Sequence, residues 1–334
     1  MDFSIEEQAM IRILQAAYAV IALGLSAAAL AQGYPVKPVK VIVPVPAGGY
    51  YDAVARIVSQ KLGERLAQAF VIENRVGAGS LTGTAYVATM PGDGYTLLVN
   101  GTGGMSIFPS LYGSAKMPYD TLRDFAPVAL LSGVPNIVVV PASLEVKSIA
   151  DLVALAKARP GELPYASNGN GTTQHLAAET FAVATGTKFT HIPFNGSAPA
   201  VTSLLGGQTK LHFGVATDVI QQIRAGKLRA LAVATEKRMS VLPEVPTLAE
   251  AGVPGIEIEI WCGMFAPRAT PPDVVARLNA ETNRVLQMAD VRERIAPGGI
   301  GDTKSGSPEQ FAQFIRTELV KWAKAVKDSG AKVE

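Results

Sequence analysis

From Val39 onward, short apolar runs alternate with amphipathic segments, and this alternation restricts the fold more than anything else in the chain. Runs of four to seven apolar residues bounded by glycine and proline read as buried strands. Joined by helices, they form β-α units around a mostly parallel sheet. VKVIVPV, VIEN (71–74), YTLLVN (95–100) and PNIVVVPA (135–142) are the strands of a first set. Val54, Ile57, Val58 and Leu62 share one face of the intervening helix, and TAYVATM forms a second, short helix.

After Ser148 the pattern starts again. The segments IADLVALAKA, PYAS, a helix from about Thr172, KFTHIPF, SAPAVTSLLG, KLHFGVA, DVIQQIRAG and LRALAVA alternate helix and strand. Pro243, Pro246, Pro254 and Gly255 then interrupt the chain before an apolar strand, WCGMFAP, the helix PDVVARLNAETNRVLQM and a C-terminal helix from Pro308. Helices with little sheet of their own must cover another sheet. The expected organisation is therefore α/β with two lobes: residues 33–133 and 255–334 make a discontinuous first lobe and 134–254 the second. Two crossings between lobes imply a hinge and a cleft.

Composition narrows the function classes. The chain of 334 residues is 48% hydrophobic and 17% charged with a net charge of +2. It has no run of five basic residues, so nothing favours a nucleic-acid partner. The single cysteine, Cys262, permits no intramolecular disulfide and lies in a strand-like run that predicts burial. The first 31 residues differ from the rest: Ala16 to Ala31 is almost wholly apolar and ends in Ala29-Leu30-Ala31, which predicts a signal peptide (1–31) cleaved after Ala31 and export to the periplasm. The acidic start is unusual for a signal, and Met10, followed by Arg12, offers a more ordinary beginning.

Four glycine-containing loops stand where strands end: Pro46 to Asp52 (PAGGYYD), Asn100 to Gly104 (NGTGG), Ser167 to Thr173 (SNGNGTT) and Asn195 to Pro199 (NGSAP). In open α/β sheets ligands bind beyond the carboxyl ends of strands, where helix N-termini aim free N–H groups outward. Such turns hold a small anion without lysine or arginine. From the residues alone, Gly48, Gly49, Gly101, Thr102, Gly169 and Gly171 are candidate contacts. Tyr50 and Tyr51 offer a stacking face and hydroxyls. Asp52 reads first as a helix N-cap and second as a ligand contact.

At these loops the sequence resembles the Bug family, the periplasmic solute-binding proteins of tripartite tricarboxylate transporters. The resemblance rests on PAGGYYD, ENRVGAGS, PGDGYTLLV, YASNGNGTTQHLAAETF, HIPFNGSAPAVTSLLGG, LRALAVAT, PEVPTLAEAG and WCGMFAPRATP, which span nearly the whole chain. It implies a two-lobed type II periplasmic-binding fold, a small carboxylate held between lobes, and delivery to membrane permease subunits. Carried over, Ala47, Gly48, Gly49 and Tyr51 would face Ser167, Gly171, Thr172, Asn195, Pro199 and Asp218. Two positions depart from the family pattern: Phe194-Asn195-Gly196 stands where a tyrosine, a basic residue and glycine are common, and Ser203 where aspartate is common. The missing cation points to a mono- or dicarboxylate in place of a tricarboxylate, with aromatic acids among the candidates because of the tyrosine pair. A monomer needing no cofactor is expected.

Rival readings find fewer residues to carry them. Gly77 to Gly83 (GAGSLTG) has the wrong spacing for a dinucleotide fingerprint, His175, His191 and His212 lack zinc-site spacing, and no G-x-S-x-G elbow or P-loop occurs. An enzyme is therefore not expected. A receptor reporting the bound carboxylate to a signalling partner would use the same fold and pocket.

Overall fold

A computed structural model describes residues 33–113, 115–296 and 301–331, so the expected signal peptide, its cleavage after Ala31 and the alternative start at Met10 lie outside the described residues. The fold is the two-lobed α/β arrangement. Strands β1 (Val39–Val43), β2 (Phe70–Asn74) and β3 (Thr96–Gly101) run parallel, with β1 in the middle. Helix α1 (Tyr50–Leu66) supplies the crossover that a parallel pair requires, and helix α2 (Leu81–Ala88) lies between β2 and β3. Both faces of β1 are covered: Val41 and Val43 join one cluster with Val54, Val58 and Leu62, while Ile42 packs on the other side with Leu98, Trp261 and Phe265.

Beyond a wide helical turn (Gly103–Ile107) and the short helix α3 (Phe108–Tyr112), the chain enters β4 (Phe125–Pro141), which is much longer than the sequence pattern suggests. Residues 125–135 of β4 pair antiparallel with β9 (Glu259–Pro267), which also pairs antiparallel with β3. Residues 136–141 pair with β7 (Leu211–Val215) and β8 (Leu228–Val233) of the second lobe. One strand thus serves two sheets, and Pro135, which has no N–H for a ladder bond, marks the change of partner. The alternation continues past the switch, with Val138 and Val140 facing one core and Ile137 and Val139 the other.

The second lobe repeats the first. Helix α4 (Ile149–Ala158) precedes the parallel strands β5 (Pro164–Ser167) and β6 (Thr190–Pro193), joined by helix α5 (Thr173–Thr185); helix α6 (Ser197–Leu205) leads to β7, and helix α7 (Ala216–Arg224) to β8. Each lobe is a three-stranded parallel set, β2-β1-β3 or β7-β5-β6, completed by antiparallel long strands. After β9, helix α8 (Pro272–Leu286) packs Val275, Leu278 and Val285 into the same core as β1 and α1. Helix α9 (Ala289–Ile295) and the two-residue strand β10 (Asp302–Thr303) follow. Helix α10 (Pro308–Ser329) opens on a reciprocal Ser307–Gln310 capping box and serves both lobes, with Phe311 and Ile315 in the first-lobe core and Trp322, Ala325 and Val326 in the second.

Candidate functional site

Between the lobes lies a cleft of about 860 Å³, and the N-terminal ends of four helices line it. Helix α1 contributes Gly49, Tyr50 and Tyr51; α5 contributes Thr172, Thr173 and Gln174. Gly196 and Ser197 come from α6, and Val215, Thr217 and Asp218 from α7. The N-cap positions of α1, α6 and α7 are Gly49, Gly196 and Val215, and none supplies a capping side chain. Their first N–H groups are therefore free to meet a ligand, with the positive helix ends behind them. Only α5 is capped from within, by the Thr172 hydroxyl.

The two walls differ in character. The first-lobe wall is apolar and aromatic: Val45, Tyr50, Tyr51, Ile107, Phe108 and Leu111 line it, together with Tyr112. The second-lobe wall carries amides and hydroxyls, and among the described residues Asp218 is the one acidic member of the lining, which contains no lysine, arginine or histidine. The Tyr50 and Tyr51 rings lie 5.5 Å apart, tilted by 47°. The Tyr50 hydroxyl hydrogen-bonds Ser132 Oγ at 2.8 Å. Burial pushes both phenols well above their usual range, so both stay neutral.

Of the residues expected from the sequence, Gly49, Tyr50, Tyr51, Gly169, Gly171, Thr172 and Asp218 meet at the cleft. Ala47, Gly48, Asp52, Gly101, Thr102, Ser167, Asn195 and Pro199 are not among the lining residues. Several of these have other duties. The Gly48 N–H donates to Asp52 Oδ2 at 2.9 Å. The Thr102 hydroxyl accepts from the Trp261 N–H at 2.8 Å and fastens β3 to β9. Gly101 is glycine because a Cβ there would lie 2.8 Å from Tyr51 Cε1 and collide with the Trp261 carbonyl.

Asp52 is not the N-cap that its position suggested, because the helix begins earlier, at Tyr50, with Gly49 as the cap. The carboxylate is 1% exposed and also accepts from Arg56 Nε at 2.8 Å and Asn74 Nδ2 at 2.8 Å. Burial alone would raise its pKa, but the hydrogen bonds from Arg56, Gly48 and Asn74 outweigh it and hold the group below the usual carboxylate range. Asp52 thus locks the PAGGYYD turn to β2.

The second-lobe loop is braced by histidines. Ser167 Oγ lies 2.6 Å from His191 Nε2, and the Gly171 N–H donates to His175 Nδ1 at 3.0 Å. The Gly171 N–H is thus already used inside the protein. The two imidazoles stack at 4.0 Å with 7° between planes, and Tyr165 stacks on His191 at 4.8 Å. Burial, reinforced by the neighbouring His175, brings His191 down to about 4; burial also lowers His175, against the opposing charge of Glu179. His212 is fully buried with Nδ1 2.9 Å from the Ala166 carbonyl. Each of the three histidines has a hydrogen-bond partner within the second lobe.

The sequence reading missed Ile107, Phe108, Leu111 and Tyr112. The i, i+1, i+4 spacing of the first three is a helical signal hidden behind a glycine-rich turn. It also missed Gly79, which lies in the loop considered only as a dinucleotide fingerprint. Cys262 is buried, and burial raises its thiol pKa well above the usual range. Among the described residues no group of three or more His, Cys, Asp or Glu could hold a metal ion, and no helix is long and apolar enough to cross a membrane.

Comparison with known proteins gives a consistent set of matches. Residues 54–331 match the model of the tripartite tricarboxylate transporter family receptor. Protein BugT of Bordetella pertussis is 38% identical over 316 residues, covering 93% of this chain and 95% of that protein. The adipate-bound Rpa4515 protein of R. palustris is 36% identical with a TM-score of 0.79, covering 90% of this chain and 100% of the other. MatC of Rhodopseudomonas palustris, solved with malate, is 32% identical with a TM-score of 0.75, covering 88% of this chain and 100% of the other.

Proposed function

The chain belongs to the tripartite tricarboxylate transporter family of receptors, the Bug-type solute-binding proteins, and from that membership we propose that it captures a small carboxylate in the cleft and delivers it to the permease subunits of such a transporter in the periplasm. One observation carries the ligand class: helix N-termini from both lobes converge on a cleft whose lining, among the described residues, has no basic side chain. Backbone N–H groups and helix dipoles then supply the positive potential. The adipate and malate in the related structures agree with a carboxylate.

In this reading an acid docks first on the Gly49–Tyr51 turn of α1. The second lobe then swings in to add the N–H groups of α5 and its neighbours. Each charge-assisted bond contributes roughly 1.5–3 kcal/mol, so the closed state is favoured when ligand is present. We place the lobe limits at 33–133 with 255–334 and at 134–254, because β4 carries the chain from the first sheet into the second and β9, among the described residues, pairs only within the first. The receptor is taken to act as a monomer.

A thermal-shift series with mono- and dicarboxylates and their neutral amides tests the ligand class. A bound acid raises the melting temperature by mass action, whereas its fully amidated analogue does not. Equal shifts from acid and neutral amide, or none from any acid, would refute the carboxylate reading. Loss of uptake of the same acid on deletion of the gene tests delivery.

A further inference from the structure

Asp218 occupies ground that an anionic ligand would otherwise take. It lies in the first turn of α7, which has no capping side chain at its N-terminus. One oxygen, Oδ2, accepts from the Ser197 hydroxyl at the start of α6, and Oδ1 accepts from the Thr217 hydroxyl at 3.1 Å. A resident carboxylate therefore stands at the meeting point of two of the four positive helix ends, where the dipoles favour it. The first turn of α5 has no acidic residue, and that of α1 has Asp52, which is outside the lining and paired with Arg56.

A ligand carboxylate placed beside Asp218 would meet like charge, with no lysine, arginine or histidine in the lining to offset it. Closure makes this worse, since excluding water lowers the local dielectric and strengthens repulsion. A ligand donor placed there would instead complete the carboxylate's lone pairs. Asn168 belongs to the same wall, and its Oδ1 is buried with no hydrogen-bond partner among the described residues. The aromatic first-lobe wall between these ends suits an apolar ligand body.

Building on the carboxylate reading above, we infer that Asp218 is a specificity-determining residue that turns the α6/α7 end of the cleft from an anion seat into an acceptor. The ligand is then a monocarboxylate whose far end carries an N–H donor, either an ammonium or a primary amide. Its carboxylate rests at α1 and α5, and its nitrogen at Asp218. Symmetric dicarboxylates are the class this arrangement disfavours.

The test is titration calorimetry with two matched sets on the full mature protein: hexanoate, adipate, 6-aminohexanoate and adipamate, then benzoate, terephthalate, 4-(aminomethyl)benzoate and 4-carbamoylbenzoate. The nitrogen-bearing members of at least one set are expected to bind about tenfold or more tighter than the dicarboxylate, the difference a single charge-assisted contact makes. Asp218→Asn should erase that preference by weakening the nitrogen-bearing acids and strengthening the dicarboxylate. Circular dichroism of the variant checks its fold, and the wild-type ranking stands as a test that needs no variant. A dicarboxylate binding wild-type protein as well as its nitrogen partner would overturn the inference while leaving the carboxylate reading intact. So would a ranking unchanged in a folded Asp218→Asn protein. Binding by no acid of either set would overturn both.

Discussion

Leu111 of α3 fills the space that a side chain on Gly171 would need, so the first-lobe helix and the second-lobe loop touch across the cleft. Gly171 also has φ +70°, a conformation that an L-residue adopts at a cost of about 1 kcal/mol or more. Gly171→Ala should therefore weaken carboxylate binding and lower the melting temperature. Adding Leu111→Ala should recover the steric part and leave the backbone part, giving a coupling of about 0.5–3 kcal/mol in a double-mutant cycle. Strict additivity would show that the two residues do not interact.

Asp52 makes a second prediction, about acid. Its folded pKa is lowered, so its contribution is present above the unfolded value, about pH 4, and disappears as pH falls through the lower folded value. Asp52→Asn removes the charge and presents an amide to donors at Gly48 and Arg56. Urea unfolding at neutral pH should show a loss of about 1–3 kcal/mol. At pH 3 and below the gap between wild type and variant should narrow; a constant gap would contradict the assignment.

The histidine stack acts in the same direction as Asp52, losing stability as pH falls, but over a higher pH range that ends near the His191 value of about 4. His191 is held neutral in the folded protein down to about 4, whereas the unfolded chain takes up its proton near 6.5. Stability should fall as pH drops from the unfolded value towards the folded one and level off below it, with His175 acting in the same direction. An NMR titration of the His191 ring should give a midpoint near 4. A midpoint at the ordinary histidine value would mean that the stack does not exclude the proton.

Glu318 joins the lobes through one oxygen. Its Oε2 accepts from Trp261 Nε1 and Trp322 Nε1, each at 2.9 Å, while Oε1 pairs with Lys321. Glu318→Leu leaves two buried indole donors unpaired and should cost about 2–5 kcal/mol, with Glu318→Gln milder because a carbonyl oxygen remains. Unfolding followed by tryptophan fluorescence reads both. Equal losses in the two variants would assign the effect to packing alone.

How much of this was legible beforehand depended on the range of the forces involved. The face Val54, Ile57, Val58, Leu62 was readable because helix burial follows a local period. The glycine loops were readable because positive φ and strand ends leave local marks. The long reach of β4 was hidden, since residues 125–134 are fixed by pairing with β9, more than 120 positions away along the chain. Asp52 was misplaced by one turn for a related reason: what sets its role is Asn74 on β2, which no local rule includes. The aromatic wall around α3 was missed because its helical spacing extends over little more than one turn and follows directly on a glycine-rich segment.

The strand that crosses from one sheet to the other has a practical result for anyone dividing the molecule. Cutting before Asn136 would part β3 and residues 125–135 from their partner β9, and cutting after Pro141 would in addition part residues 136–141 from β7 and β8. The two lobes thus share one strand. The two should therefore melt in a single cooperative step, and any motion that opens the cleft must twist this shared ribbon without breaking it.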